Sequence, residues 1–95
     1  MNRKAYMESR VAIIGIIVEE ATSVDELNRI LHEYGEYIIG RMGIPYQKKG
    51  INIISIAVDA PQDVISALAG KLGKLPGVSS KAVYSPRKEK SNGIK

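Results

Sequence analysis

Hydrophobic and polar positions divide the chain into four apolar runs with two amphipathic stretches between them. Residues 11–19 (VAIIGIIVE) and residues 51–59 (INIISIAVD) are nearly continuous apolar runs rich in β-branched residues, a composition that favours strands over helices. Residues 36–42 (EYIIGRM) and residues 78–85 (VSSKAVYS) are shorter runs of the same kind. The pattern therefore predicts four strands.

Each of the two remaining stretches carries apolar residues at helical spacing. In the first, Ser23 followed by Glu26 fits a capping box at the start of a helix, and Gly35 supplies its end. In the second, Pro61 suits the first turn, where its missing N–H is not needed. The stripes that should face the core are Val24, Leu27, Ile30, Leu31 and Tyr34 in the first helix and Val64, Ile65, Leu68, Leu72 and Leu75 in the second.

The resulting order of elements is β-α-β-β-α-β. With right-handed crossovers this order folds as a ferredoxin-like α+β sandwich, in which a four-stranded antiparallel sheet carries both helices on one face. We expect one such domain over residues 11–85, preceded by a flexible tail of residues 1–10. Residues 86–95 are polar and basic, and we expect them to be disordered.

The sheet face that the helices leave uncovered should be polar in a monomer. Here both faces of both central strands are substantially apolar, and a large uncovered apolar patch marks an interface. We therefore predict a homo-oligomer, a dimer or a tetramer, built on this face, and the alternative is that one of the tails folds back to cover it. By simple alternation along the strands, its interface residues are Ile13, Ile17, Ile39, Arg41, Ile53 and Ser55.

Composition and charge exclude several kinds of binding site and cellular location. The formal net charge of +4 belongs to the two tails, because residues 11–84 carry seven Lys/Arg and eight Asp/Glu. The absence of cysteine excludes disulfides, thiolate metal sites and cysteine nucleophiles. No apolar run reaches the roughly 18 residues that a membrane span requires, and the N-terminal segment lacks the apolar part of a signal peptide. We expect a cytoplasmic protein without a membrane partner.

Arg41 is the residue that most suggests a ligand. It lies between Gly40 and Gly43, which permit close approach of a backbone or a bound molecule. Its planar guanidinium could bind a carboxylate or a phosphate. The alternative is an ion pair, within the chain or between subunits, for example with Glu19, Glu36 or Asp59. The candidate ligand-binding segment is Arg41, Met42, Gly43, Ile44, Pro45 and Tyr46.

Other chemistry is sparse. His32 is the single histidine and lies off the apolar stripe, so a solvated helix residue is the simplest reading, and a metal ligand shared between subunits is the alternative. No nucleophile-and-base pair or phosphate-binding loop is present, and we expect no enzymatic activity. An RNA-binding sheet of this topology needs aromatic rings on its central strands. None of the five tyrosines lies there, so we expect no direct nucleic-acid binding.

The segments LHEYGEYIIGRMGIPY and NIISIAVDAPQDVISALAGKLGKLPGVSSKAVYS resemble a known family, the small regulators of iron-only hydrogenase systems. That family is similar to the C-terminal domain of nickel-responsive regulators and, more loosely, to ACT domains. The resemblance covers about residues 10–85 and implies an oligomeric, ligand-sensing regulator. Nickel-responsive regulators bind nickel through several histidines and a cysteine, so their metal site is not carried over to a chain with only His32 and no cysteine.

Two functional hypotheses follow. The first is a regulatory, ligand-sensing oligomer connected with transcription or a hydrogenase system, with a small molecule bound between subunits near residues 41–46. We expect it to have no DNA-binding arm of its own, because ten residues ahead of the first strand are too few for a ribbon-helix-helix arm. The second is a structural or assembly adaptor whose sheet face or tails bind a partner protein. The residues do not identify a cofactor.

Overall fold

A computed structural model describes residues 9–86 of the chain. The structure contains four strands, β1 (Ser9–Val18), β2 (Ile38–Tyr46), β3 (Ile51–Pro61) and β4 (Val78–Tyr84). Helix α1 (Val24–Glu33) lies between β1 and β2, and helix α2 (Gln62–Gly73) lies between β3 and β4. Strand β1 begins two residues earlier than the sequence predicts. The predicted tails therefore lie outside the described residues, except for Ser9, Arg10 and Pro86.

The strands form one antiparallel sheet in the order β2-β3-β1-β4. Alternate residues of the two central strands are buried on one face, where they pack against the inward residues of both helices. Every residue of the two predicted helical stripes is buried or partly buried in this core. The predicted ferredoxin-like α+β fold is confirmed. No helix within residues 9–86 is both long and apolar enough to cross a membrane.

The first helix begins differently from the prediction. A 3₁₀ turn, Ala21–Ser23, leads directly into α1, so Ser23 has helical rather than extended backbone angles and its side chain makes no capping bond. The capping box predicted between Ser23 and Glu26 is therefore wrong. The Ser23 hydroxyl instead donates a hydrogen bond of 2.7 Å to the carbonyl oxygen of Pro76. This bond connects the start of α1 to the loop between α2 and β4.

The edge strand β2 is longer than predicted and contains a β-bulge. Its residues 43–46 lie beyond the predicted strand of residues 36–42, yet they pair with β3 as far as Tyr46 opposite Ile51. Pro45 is tolerated there because an edge strand needs only one side of its backbone for pairing. Between Ile38, opposite Val58, and Gly40, opposite Ala57, β2 holds one extra residue. Such a bulge reverses the inward and outward alternation of every residue that follows it.

Candidate functional site

The bulge places Arg41 on the helix side of the sheet. Arg41 lies opposite Ile56, whose side chain is fully buried beneath the helices, whereas Met42 lies opposite Ser55 on the uncovered side. Simple alternation had assigned Arg41 to the same face as Ile39 and the predicted oligomer interface. That assignment is wrong, because the extra residue of the bulge shifts the register by one position.

Arg41 reaches helix α1 from this position. Its Nη2 atom donates a hydrogen bond of 2.8 Å to Oδ1 of Asn28. Within residues 9–86, no carboxylate oxygen lies within 4.0 Å of the guanidinium. The ion pair that the sequence suggested with Glu19, Glu36 or Asp59 is therefore not formed within the described chain; an ion pair between subunits stays a prediction.

A pocket of about 270 Å³ lies beside this hydrogen bond, between α1 and the strands β2 and β3. Four of the six predicted ligand-binding residues line it, whereas Met42 and Tyr46 point to the uncovered face. The sequence did not single out the helix residues or the β3 residues of the lining, because the proximity of α1 to β2 is tertiary. The full lining is Val24, Leu27, Asn28, Arg41, Gly43, Ile44, Pro45, Asn52 and Ile54.

The electrostatics of the pocket are simple. Among its described lining residues Arg41 is the one charged side chain, Asn28 and Asn52 are amides, and the rest are glycine or apolar residues. Two of the three acidic side chains of α1 are engaged elsewhere: Glu26 and Glu33 both pair with Arg29 on the exposed side of the helix. Hydrogen bonding to Arg29 lowers the pKa of Glu26 from its ordinary value of 4.5. The pocket thus presents one positive charge without a neutralising carboxylate.

The second candidate surface is the open sheet face, which we define as the outward side of the sheet opposite the helices. Its large apolar side chains are well exposed, from 39% for Ile53 to 69% for Val83. Three residues of the edge strand, Met42, Ile44 and Tyr46, extend the open sheet face beyond the two central strands. The remaining large members are Val11, Ile13 and Ile17.

The predicted interface residues are divided by the fold. Ile13 and Ile17 on β1 and Ile53 and Ser55 on β3 lie together on the open sheet face, where Ile17 is directly opposite Ile53. Ile39 is the extra residue of the bulge and is 62% exposed, and Arg41 lies on the opposite side. The prediction that the uncovered face is apolar is confirmed, whereas the oligomer itself stays a prediction.

His32 lies exposed on α1, one residue before the end of the helix. Within residues 9–86, no cluster of three or more His, Cys, Asp or Glu side chains is placed to hold a metal ion. A metal shared between subunits through His32 stays a prediction.

A family model described as "Iron-only hydrogenase system regulator, putative" matches residues 10–82, a span that includes the pocket and the open sheet face except for Val83. The chain belongs to this TM1266-like family. A solved structure of a TM1266-like protein, the uncharacterized protein TM1266 from Thermotoga maritima, is 35% identical to the chain with a TM-score of 0.78. The similarity covers 81% of this chain and 98% of that chain. None of the curated proteins matches the chain.

Membership in the TM1266-like family confirms the resemblance to iron-only hydrogenase system regulators. The looser similarities, to the nickel-responsive regulators and to ACT domains, stay predictions.

Proposed function

We propose that this protein is a non-enzymatic, ligand-sensing regulator that acts as a homo-oligomer through its open sheet face. The regulatory part rests on the TM1266-like family, whose description is that of a regulator of iron-only hydrogenase systems. Ligand sensing rests on the pocket beside Arg41, and self-association rests on the exposed apolar residues of the open sheet face.

The observation that carries the proposal is the position of Ile44. This residue lines the pocket, and it also lies opposite Ile53 on the open sheet face, where it is 52% exposed. Because β2 is an edge strand, paired on one side with β3 alone, it can shift more readily than a central strand. A molecule that contacts Ile44 in the pocket therefore changes the rim of the surface on which a second copy packs.

We propose that the regulator acts by binding a protein surface and not by binding nucleic acid directly. Strands β1 and β3 contain no aromatic residue. The centre of the open sheet face consequently lacks the rings on which RNA-recognition sheets stack bases. Its apolar character suits another protein surface or a second copy of the chain.

The test combines light scattering with a thermal-shift screen over amino acids, organic acids, nucleotides and divalent metals. A ligand that binds the native state raises the melting temperature, and the rise grows with the logarithm of the free ligand concentration once that exceeds Kd. The proposal expects an assembly larger than one chain and a stabilising compound whose effect is lost in Arg41→Gln. A lone chain of 10.4 kDa that no compound stabilises would contradict it.

The open sheet face also favours a second candidate function, that of an assembly adaptor which covers this face with a different protein. The two functions differ in what the screen finds. The adaptor predicts that no small molecule stabilises the chain and that a partner protein co-purifies in a stoichiometric amount. Binding of this partner protein should be abolished by Ile53→Lys and unaffected by Arg41→Gln.

A further inference from the structure

We propose that the pocket beside Arg41 binds a small carboxylic acid with a branched aliphatic body, held as its anion. This inference rests on the proposed function, since it names the chemical class of molecule that the ligand-sensing site would take. The carboxylate would lie on the Arg41 guanidinium, and the aliphatic part would lie along the apolar lining of the pocket.

The guanidinium of Arg41 is held in place and still has donors to offer. A guanidinium carries five N–H groups, and the described chain uses Nη2 of Arg41 for the bond to Asn28. That bond restrains the orientation of the planar group, so less conformational entropy is lost when a ligand binds. The N–H groups of the guanidinium that are not bonded to Asn28 can form the two parallel N–H···O bonds that arginine makes with a carboxylate.

The apolar lining fits a branched aliphatic body. Val24 and Leu27 come from α1, Ile54 comes from β3, and the edge strand adds Pro45. Leu27 and Ile54 are buried, so they form a fixed floor. An aliphatic body of this shape is stabilised there because its apolar carbons are removed from water.

The charge and the size of the pocket favour a small monocarboxylate over other common ligands. A free amino acid carries an ammonium group that needs an acidic or strongly accepting partner. The described lining contains no carboxylate, and Oδ1 of Asn28 already accepts the bond from Arg41, so the neutral Asn52 amide is the other side-chain acceptor that the lining offers an ammonium group. At about 270 Å³ the pocket is smaller than the roughly 300–1,000 Å³ of sites for drug-sized molecules, which favours a compact acid over a nucleotide.

The first experiment measures binding by isothermal titration calorimetry at pH 7 with 4-methylpentanoate as the probe. Three matched compounds test one feature each: 4-methylpentanamide removes the charge, L-leucine adds an ammonium, and inorganic phosphate replaces the planar anion with a tetrahedral one. We expect 4-methylpentanoate to bind at least tenfold more tightly than each of the three. Equal binding of the amide, or tighter binding of L-leucine or phosphate, would overturn the assignment.

The second experiment repeats the titration with three variants. Arg41→Gln removes the cation and should weaken binding of 4-methylpentanoate by at least tenfold. Gly43→Val fills the pocket, and it should fold normally because the nearest atoms to an added Cβ are 4.0 Å away. The matched control is Lys81→Gln, which removes an exposed cation from β4 at the opposite edge of the sheet and should leave binding unchanged.

The outcomes separate this inference from the proposed function. Unchanged binding in Arg41→Gln and Gly43→Val, with both variants folded by circular dichroism, would overturn the pocket as the site. Arg41-dependent binding of a compound from another class would overturn the carboxylic-acid class and leave the proposed sensing function standing. Arg41-dependent binding of 4-methylpentanoate, with no effect on assembly or on any partner, would support the site and contradict the regulatory function.

Discussion

Arg41 on strand β2 and Asn28 on helix α1 are joined by a hydrogen bond of 2.8 Å between Nη2 and Oδ1. This bond connects the sheet edge to the helix at the pocket, and both of its side chains are exposed. An exposed hydrogen bond between side chains contributes little to stability, since water replaces it readily. The fold therefore does not depend on Arg41, which agrees with the binding role proposed for it.

We therefore predict that Arg41→Ala lowers the free energy of unfolding by less than about 1 kcal/mol. Urea denaturation of the wild type, Arg41→Ala, Asn28→Ala and the double variant provides the measurement, because a double-mutant cycle isolates the coupling between the two residues. A loss above about 2 kcal/mol in Arg41→Ala would show that the residue is structural.

Ser23 should be more important for stability than its exposed neighbour. Its hydroxyl is buried, 4% of the residue being exposed, and donates to the carbonyl oxygen of Pro76. Ser23→Ala leaves this oxygen without its donor, at an expected cost of about 1–2 kcal/mol in the free energy of unfolding. Thr22→Ala is the control, because Thr22 is exposed and its bond to Glu20 is long at 3.4 Å. Equal effects of the two substitutions would contradict this role.

Two glycines should respond to alanine in opposite directions. Gly77 has a φ of +70°, and an added Cβ would lie 2.3 Å from Cγ of Glu20, so Gly77→Ala should destabilise the fold by about 2 kcal/mol. Gly70 lies within α2 with open space around it, so Gly70→Ala should stabilise the protein by up to about 1 kcal/mol. Chemical denaturation measures both effects, and a stabilising Gly77→Ala would show that the loop adopts another conformation.

The ion pairs of Arg29 predict a pH dependence. Because Arg29 lowers the pKa of Glu26 below 4.5 in the folded state, the stabilising contribution is present above that value and is lost as the pH falls through the lowered pKa. Arg29→Gln should raise the pKa of Glu26 toward 4.5, which NMR titration of the carboxyl group can measure. The difference in the free energy of unfolding between the wild type and Arg29→Gln should also shrink on acidification and at high salt. An unchanged pKa would contradict the pairing.

The central part of this fold could be predicted from sequence because two independent patterns agree. In β1 and β3 the residues on both sides of the sheet are apolar. The inward residues are covered by the helices, and the outward residues are exposed and available for contact. Helix α1 shows Leu27, Ile30 and Leu31 on one stripe, and all three are buried. Such periodicity arises from the core itself and is therefore visible in the sequence.

The site could be predicted only in part, because its geometry depends on pairing between strands. Ile38 and Ile39 are chemically identical, so no hydrophobic pattern shows that one of them pairs with β3 and the other is the extra residue of a bulge. The one-residue shift at the bulge also decides whether Arg41 lies on the helix side of the sheet or on the open sheet face. Ser23 illustrates a second limit, since its partner Pro76 lies 53 residues away in the chain.

The open sheet face should determine the state of assembly. Ile53 lies on the central strand β3 and is 39% exposed, so Ile53→Lys places a charge on this face without entering the core. The variant should dissociate, because a buried unpaired charge is costly at an apolar interface. Ala67→Lys, on the exposed side of α2, is the matched control and should assemble as the wild type does.

The most direct measurement is the molar mass of the wild-type protein in solution, determined by size-exclusion chromatography with multi-angle light scattering at micromolar concentration. One chain has a mass of 10.4 kDa. The account predicts a mass at least twice that of one chain, which falls to that of a single chain in Ile53→Lys and not in Ala67→Lys. A wild-type mass of 10.4 kDa would contradict it.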